Sequence, residues 1–208
     1  MGLNINGTTG ISGVDASVSA PALAGTDSNT GISFPAADTI KFSTGGVERM
    51  QITNSGVTGT GIGAGKILQV TQGTTSTEKT FTTASFVASN LSATITPTAA
   101  SSKILINASF LLDTRANGRQ IIVALFRSIN GGTFTNISGG SNTTAIGTYG
   151  ASSRIIEKAS IIRLDTPSYS VGNSIVYKLY AKSESAAGEV TMTGQGVEDV
   201  MVLQEVGA

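Results

Sequence analysis

The chain has 208 residues, of which only 12% are charged, and its 13 Lys and Arg balance 13 Asp and Glu to a formal net charge of +0. Because it contains no His and no Cys, Ser–His–Asp catalysis, thiolate nucleophiles, disulfides and the usual zinc sites are excluded. Zero net charge argues against non-specific nucleic-acid binding, and a mean hydropathy of +0.18 favours turn-rich β-structure over disorder.

Residues 1–20 are small and polar, with isolated apolar side chains such as Leu3 and Ile11. Such a segment builds no core of its own, so we predict an N-terminal arm that is laid on a partner. It lacks the basic region and apolar core of a signal peptide, and no apolar run in the chain approaches the ~20 residues of a membrane span. We therefore expect the protein to be made in a cytoplasm.

Residues 21–65 alternate short apolar runs with turn residues. Residues 27–31 and the pair Gly45-Gly46 have turn chemistry, and residues 35–38 are expected to end a strand. The result is three very short strands that each place two apolar residues on one face. A single copy buries too little to fold alone, so we predict a β-stalk formed by several identical copies around an axis. The predicted stalk contacts are Ile32, Phe34, Ile40, Phe42, Met50 and Ile52.

Gly recurs at every second or third position of residues 56–65. Since Gly permits close approach of backbones, we predict a hinge or a tight crossing near the symmetry axis. Residues 27–38 begin like a calcium-binding EF-hand loop, but that loop needs an oxygen ligand at its fifth position and Gly at its sixth. This chain has Gly31 and Ile32 there, so no metal site is predicted.

Residues 66–208 contain regularly spaced strand patterns, clear turn signals and no helical period. Eight to ten such strands predict an all-β chain in which this block is an antiparallel jelly-roll-like sandwich, a knob that follows the short trimeric β-stalk. The predicted strands are 67–72, 79–82, 92–96, 103–112, 119–129, 133–137, 153–164, 174–182, 189–193 and 197–206.

Several of these strands are apolar on both faces. A strand of an antiparallel sandwich normally turns one face to water, so we predict that another subunit covers the second face. The predicted trimer contacts in the knob are Ile122, Phe126, Met201 and Leu203.

No catalytic arrangement is recognisable. A glycosidase would need two carboxylates facing one sugar, whereas the neighbours Glu198 and Asp199 point to opposite faces of a strand. We therefore predict no catalytic, cofactor-binding or metal-binding residue. Sugar binding without cleavage would use loop aromatics, and Tyr149, Tyr169 and Phe134 are the candidate receptor contacts.

The residues Asn29-Thr30-Gly31-Ile32, Pro35, Asp38, Gly45-Gly46 and Arg49 together resemble a module common in bacteriophage tail-fibre proteins, where it forms a segment of a trimeric β-structured stalk. The runs at residues 66–70, 92–97 and 101–105 are similar to C-terminal domains of cyanophage and other marine phage virion proteins. The predicted knob also resembles the trimeric jelly rolls of the tumour-necrosis-factor type.

These resemblances imply a non-enzymatic structural protein of a phage virion, a homotrimeric tail fibre made in the host cytoplasm. Its arm at residues 1–20 would bind other virion proteins, residues 21–65 would be stalk and hinge, and the knob at 66–208 would attach to a host-surface glycan. Two alternatives stay open: a capsid decoration protein that stabilises the phage head, and a free carbohydrate-binding module. Neither nucleic acid, cofactor nor membrane insertion is expected.

Overall fold

A computed structural model describes residues 4–6, 10–12, 16–24, 26–59, 65–115, 119–139, 146–150, 154–184 and 189–207. The described residues form eighteen strands and no helix, and all strand pairs are antiparallel. The all-β prediction is therefore confirmed. The chain divides into two compact units, Met1–Lys66 and Ile67–Ala208.

The N-terminal unit contains a hairpin and a five-stranded meander. Strands β1 and β2 pair with each other, and β3 to β7 follow one another in sequence order across a single sheet. This sheet contains the three strands predicted for the stalk, with one more strand on each side. The strands are β1 (Asn4–Asn6), β2 (Gly10–Ser12), β3 (Leu23–Ala24), β4 (Gly31–Ala36), β5 (Thr39–Thr44), β6 (Val47–Thr53) and β7 (Gly56–Thr58).

The prediction that residues 35–38 end the first stalk strand is wrong by two residues. Pro35 lies inside β4, at an irregularity in the β4–β5 register between Ser33 and Ala36. A proline has no N–H to contribute to the ladder, and a bulge is one of the places where a sheet accommodates that loss. The chain turns later, at Asp38, whose φ of 54° is left-handed.

The C-terminal unit contains every strand predicted for it and one that was missed. Strand β14 was not predicted, and β10 begins five residues before the predicted start, because the polar residues Ser89 and Asn90 precede its apolar alternation. The strands are β8 (Ile67–Thr75), β9 (Lys79–Phe81), β10 (Val87–Ile95), β11 (Lys103–Asp113), β12 (Arg119–Ile129), β13 (Thr135–Asn136), β14 (Ile146–Gly150), β15 (Ile156–Asp165), β16 (Ile175–Ser183), β17 (Val190–Met192) and β18 (Asp199–Val206).

These strands form two sheets with jelly-roll connectivity. Sheet I has the order β8–β18–β11–β15. In this sheet β9 continues the position of β8, and β17 continues that of β18. Sheet II has the order β10–β16–β12, followed by β13 and β14 on the far side of β12. If β8/β9, β13/β14 and β17/β18 each count as one interrupted strand, eight strands pair first with eighth, second with seventh, third with sixth and fourth with fifth. That nested pairing is the rolled hairpin of a jelly roll.

One hydrophobic core lies between the sheets. Strand β16 shows how the sequence builds it, since buried and half-buried side chains alternate along all nine residues. Period-two alternation of this kind is expected when one face of a strand packs on a core. The largest fully buried side chains are those of Tyr177, Phe81 and Phe110.

Candidate functional site

The six predicted stalk contacts lie on one face of the N-terminal sheet. Ile32 is opposite Phe42, Phe42 is opposite Met50, and Ile40 is opposite Ile52. Directly paired residues of a sheet project from the same face. Phe34 lines a groove of about 360 Å³ together with Ile40 and Ile52, which places it on that face too. We call these six side chains the apolar stalk face.

The apolar stalk face has no core above it within the described residues. Every buried hydrophobic side chain of the described structure lies in residues 81–203. In the N-terminal unit the only buried side chains described are Ser33 and Ser43, and all six side chains of the apolar stalk face are half-buried. A sheet normally gains independent stability by packing an apolar face on another layer. This unit therefore has its strands in place without the layer that would stabilise them.

Polar contacts hold the strands of the stalk module in register. The Asn29 carbonyl accepts a 2.9 Å hydrogen bond from the Gly46 N–H, and the Thr30 hydroxyl oxygen accepts one of 3.2 Å from the Gly45 N–H. The same Thr30 hydroxyl donates to the Asp27 carboxylate at 2.7 Å. That hydrogen bond, with a second from the Asn29 N–H, lowers the pKa of Asp27. The turn before β4 is thus bonded to the turn between β5 and β6.

Two glycines of the unit are required by close backbone approach. A Cβ on Gly31 would lie 1.9 Å from the Leu23 carbonyl oxygen, and a Cβ on Gly59 would lie 2.1 Å from the Arg49 carbonyl oxygen. Both approaches are within one chain. The rest of the predicted hinge, residues 60–64, lies outside the described residues, so the predicted crossing near an axis stays a prediction.

The remaining motif positions are also used inside the module. The Asn54 side chain donates to the Asp38 carboxylate at 3.1 Å, and the Arg49 guanidinium donates to the Thr44 hydroxyl at 2.7 Å. The motif that carries the resemblance is therefore explained by folding contacts within the chain. None of these contacts needs a bound ligand.

The outer surface of sheet I carries an exposed aliphatic patch. Ile162 is 70% exposed, Val70 57% and Leu164 51%. In register these side chains stand beside half-buried aliphatic neighbours, and the polar residues paired with them are the uncharged Asn107 and Gln204. We call this patch the aliphatic face. It consists of Val70, Leu105, Ile162, Leu164, Val200 and Val202.

The predicted contacts Met201 and Leu203 are wrong. Both side chains are fully buried in the sandwich core, so they are not available to another subunit. Their neighbours Val200 and Val202 occupy the outer surface instead. In a strand that is apolar at consecutive positions, no alternation shows which residues face the core. The prediction assigned the core-facing residues Met201 and Leu203 to the outer surface.

The other two predicted knob contacts lie on the outer surface of sheet II. Ile122 and Phe126 are both half-buried, and they alternate with the core residues Ile121, Val123 and Leu125. Whether another subunit contacts them stays a prediction.

Phe126 belongs to a cluster of four aromatic side chains on this surface. Its ring stacks on Tyr180 at a centroid distance of 4.1 Å and meets Phe86 edge-on at 5.7 Å. Phe134 lies 5.7 Å from Tyr180. All four rings are half-buried, so each packs on its neighbours and keeps part of its surface open to solvent.

Two lysines lie over these rings. The Lys182 ammonium is 4.9 Å from the centre of the Phe86 ring, and the Lys178 ammonium is 5.9 Å from that of Phe134. Cations at such distances are attracted by the electron-rich ring face. We call this group the aromatic–lysine face. It consists of Phe86, Phe126, Phe134, Lys178, Tyr180 and Lys182.

The three predicted receptor contacts lie in different places. Phe134 belongs to the aromatic–lysine face. Tyr169 is a structural residue, because its hydroxyl donates to the Ala99 carbonyl at 2.7 Å and its ring packs against the core. The backbone of Tyr149 pairs with that of Gln120, and its side chain lies outside the described residues. The signal that could have found the aromatic–lysine face is the alternation Lys178, Tyr180, Lys182 along one strand.

The buried carboxylates of the sandwich serve structural roles. The Asp165 carboxylate accepts two hydrogen bonds from the Arg127 guanidinium, at 2.9 and 2.7 Å, and one of 2.7 Å from the Tyr177 hydroxyl. Because Asp165 belongs to sheet I and its two partners to sheet II, this group bonds the sheets together. Burial, with the neighbouring Asp165, raises the pKa of Tyr177 well above its ordinary value.

Hydrogen bonds to Glu205 join sheet I to the loop between β10 and β11. Its fully buried carboxylate accepts hydrogen bonds from the Gln69 amide at 2.7 Å and from the Thr98 and Ala99 N–H groups at 3.0 Å. Burial alone would raise the pKa of Glu205, but these donors together outweigh it and lower the pKa to about 2. The carboxylate is therefore held ionised at the edge where β10 leaves sheet II.

The pKa of Asp199 is shifted in the opposite direction. Burial raises its pKa, although the Thr193 hydroxyl and the Leu111 N–H donate to its carboxylate at 2.5 and 2.9 Å. Its neighbour Glu198 is exposed, so the two carboxylates do not face one site. Among the described residues, no three Asp or Glu side chains converge as a metal site would require.

No helix in the described part of the chain is long and apolar enough to cross a membrane. No protein-family model matches the chain, and no curated protein matches it.

Proposed function

We propose that the chain is a non-enzymatic structural protein of a bacteriophage virion, a homotrimeric tail fibre whose stalk is built from the N-terminal module. The observation that carries this proposal is the apolar stalk face, which no described residue buries. Three copies arranged around an axis would turn their apolar stalk faces toward one another. Each copy would then supply the layer that the other two lack.

Closed symmetric assembly explains this sheet better than a different partner protein does. The module's turns and strands are hydrogen-bonded within its own chain, so another copy is needed to cover the apolar stalk face and not to pair its strands. A short module repeated around an axis forms a core that one copy cannot form, because the fraction of surface buried rises with the size of the folded unit. Burial of a Phe or Ile side chain contributes roughly 1.5–3 kcal/mol, and three copies would bury six such positions each.

The aliphatic face supports the same assembly in the sandwich. Solvent-exposed apolar patches of this kind mark interaction surfaces in soluble proteins. The uncharged Asn and Gln paired with it in register suit a surface that meets other copies, because like charges would repel across a symmetric contact. We propose Ile162, Leu164, Val200 and Val202 as the knob contacts, in place of the predicted set Ile122, Phe126, Met201 and Leu203.

The resemblance of residues 29–49 to the phage stalk module supports a position on a virion. A jelly-roll sandwich following such a stalk suits an outward-facing knob that attaches to the host surface. The buried carboxylates also support a non-enzymatic role, since Asp165 and Glu205 have their oxygens occupied by donors from their own chain.

The test is the copy number of the chain in purified particles of the phage that encodes it. Quantitative mass spectrometry against the major capsid protein should give tens of copies or fewer, as expected of a tail fibre. Hundreds of copies would replace the tail-fibre proposal with that of a capsid decoration protein. Absence of the chain from the particles would overturn the virion proposal altogether.

A further inference from the structure

We propose that the aromatic–lysine face binds an acidic glycan, with carboxylates on the sugar chain meeting Lys178 and Lys182. The inference rests on the proposed role of the sandwich as an outward-facing attachment unit and names the surface and the ligand class. It moves the binding surface from the loops, where Tyr149 and Tyr169 were predicted, to the open side of sheet II.

The concentration of aromatic rings on this surface is the first observation. The chain contains 7 Phe and 4 Tyr, and four of these eleven rings lie together outside the core. Tyr180 pairs in register with Ala88 and Ala124, so small residues flank it and its ring stands above the sheet. Half-buried rings on a solvent-facing sheet give a platform on which the C–H face of a pyranose can rest, and they keep their position because they pack on one another.

The charges on the platform are the second observation. Among the described residues, neither Lys178 nor Lys182 forms an ion pair. Each ammonium lies over a ring instead. Glu184, the nearest acidic residue in sequence, is exposed and lies just beyond the end of β16. Two unpaired cations above aromatic rings suit a ligand that is apolar on one face and anionic at its edges.

The spacing of the three central side chains is the third observation. Lys178, Tyr180 and Lys182 alternate along β16, so they project from the same face. The two lysine positions are about 13 Å apart along the strand at ~3.3 Å per residue. This separation suits carboxylates on different sugar units of one oligosaccharide. The Tyr180 hydroxyl between them makes no hydrogen bond to any described residue, which leaves it free for a sugar hydroxyl.

The chemistry of the surface favours this ligand over two others. The aliphatic face of sheet I has no aromatic ring or lysine within it, which makes it the better contact for another copy of the chain. Nucleic acid is disfavoured because two cations on a chain of net charge +0 displace few counterions, and phosphate neutralisation dominates that kind of binding.

The experiment is a titration of the full-length protein, by calorimetry or NMR, with tetrasaccharides of galacturonate, mannuronate and glucuronate. The methyl ester of each tetrasaccharide is the matched control ligand, because it removes the charge and keeps the sugar rings. At least one acidic tetrasaccharide should bind, and its ester should bind about tenfold more weakly or worse, which corresponds to about 1.4 kcal/mol.

The variants distinguish binding at the aromatic–lysine face from a general effect of the positive charge of the protein. The double substitution K178Q and K182Q should weaken binding of the acidic tetrasaccharide about tenfold or more, as expected for the loss of two charge-assisted contacts. The double substitution K103Q and K158Q removes two exposed lysines from sheet I and should leave the affinity unchanged. The single substitution F134A should weaken binding of acid and ester alike, since it removes part of the platform.

Three outcomes would overturn the inference. They are equal binding of acid and ester, equal loss in the two lysine double variants, and no binding by any of the acidic tetrasaccharides. Tighter binding of a thymidine oligonucleotide than of every acidic tetrasaccharide would overturn it as well. None of these outcomes bears on the trimer or on the virion, because native mass and particle copy number are measured on protein without glycan.

Discussion

The two units of the chain differ in how far each buries its own apolar side chains. The sandwich encloses a core in which Phe110, Leu125 and Tyr177 are fully buried, while no hydrophobic side chain described in the N-terminal unit is buried. Hydrogen bonds are present in both. The difference shows that polar contacts fix which strands pair and in what register, whereas the free energy that makes a sheet stable comes from an apolar layer. The sandwich has that layer within one chain, and we propose that other copies supply it to the stalk module.

The largest expected effect comes from removing a core side chain of the sandwich. Phe110→Ala should lower the free energy of unfolding by about 3–5 kcal/mol, through lost burial and a residual cavity. Chemical denaturation followed by far-UV circular dichroism measures it. The matched substitution Phe42→Ala in the stalk should leave the sandwich transition in place and instead release monomers from the trimer. Equal losses of sandwich stability from the two substitutions would contradict the contrast between the units.

The hydrogen bonds to Glu205 should make the stability of the sandwich sensitive to acid. The folded pKa of Glu205 is about 2, against an ordinary value of 4.5, so the ionised form stabilises the fold. Its contribution of about 3 kcal/mol is complete above pH 4.5 and is lost as the pH falls from 4.5 toward 2. Glu205→Gln should remove this pH dependence because an amide does not titrate. It should also lower the stability at pH 7, because the amide N–H₂ would face the donors Thr98 and Ala99.

Denaturant midpoints between pH 2 and pH 7 test that prediction. The exposed neighbour Glu198 provides the control, since Glu198→Gln should reproduce the wild-type pH profile. A Glu205→Gln profile that still falls steeply below pH 4.5 would show that another carboxylate carries the acid sensitivity.

A smaller effect on folding is expected from Gly31→Ala in the stalk module. The added Cβ would meet the Leu23 carbonyl oxygen at 1.9 Å, so β3 must separate from β4 at a cost of about 1–3 kcal/mol. The variant should lose trimer at dilutions where wild type keeps it, with the thermal midpoint of the sandwich unchanged. Ser55→Ala, an exposed turn position of the same unit, should have no effect. Normal trimer in Gly31→Ala would contradict a role for this sheet in association.

The smallest effect is expected at the ion pair between Lys41 and Glu48, whose charged atoms are 2.7 Å apart. Both side chains are partly exposed, so Lys41→Ala should change stability by only about 0–1 kcal/mol. It should leave the trimer intact, in contrast to Phe42→Ala at the next position. Loss of trimer from Lys41→Ala alone would mean that charge, and not the apolar stalk face, holds the copies together.

Most of the strands could be predicted because alternation and turn residues are local signals. The turns at Gly45-Gly46 and Asn130-Gly131 and the alternation of β16 each follow from a few neighbouring residues. Which residues of β18 face the core could not be predicted. Val200 to Leu203 are all apolar, and only packing against the opposite sheet distinguishes the core-facing residues from the others. Strand β14 was missed since glycines at 147 and 150 weaken its strand pattern.

The candidate surfaces were less predictable than the strands. The six residues of the apolar stalk face share one face because they alternate in three short strands, and whether other copies contact them stays a prediction. The aromatic–lysine face joins Phe86, Phe126, Phe134 and Tyr180 from separate parts of the chain, and only the pairing of β10, β12 and β16 brings them together. The hydrogen bonds of Asn29 and Thr30 to a turn fifteen or more residues later were likewise beyond any local pattern.

The native mass of the full-length protein in solution tests the dependence of the stalk module on other copies most directly. Light scattering coupled to size-exclusion chromatography should give about three times the 21.0 kDa chain mass, as expected for closed threefold association. A mass of one chain at every concentration tested would contradict it, since the apolar stalk face would then be stable without a partner copy.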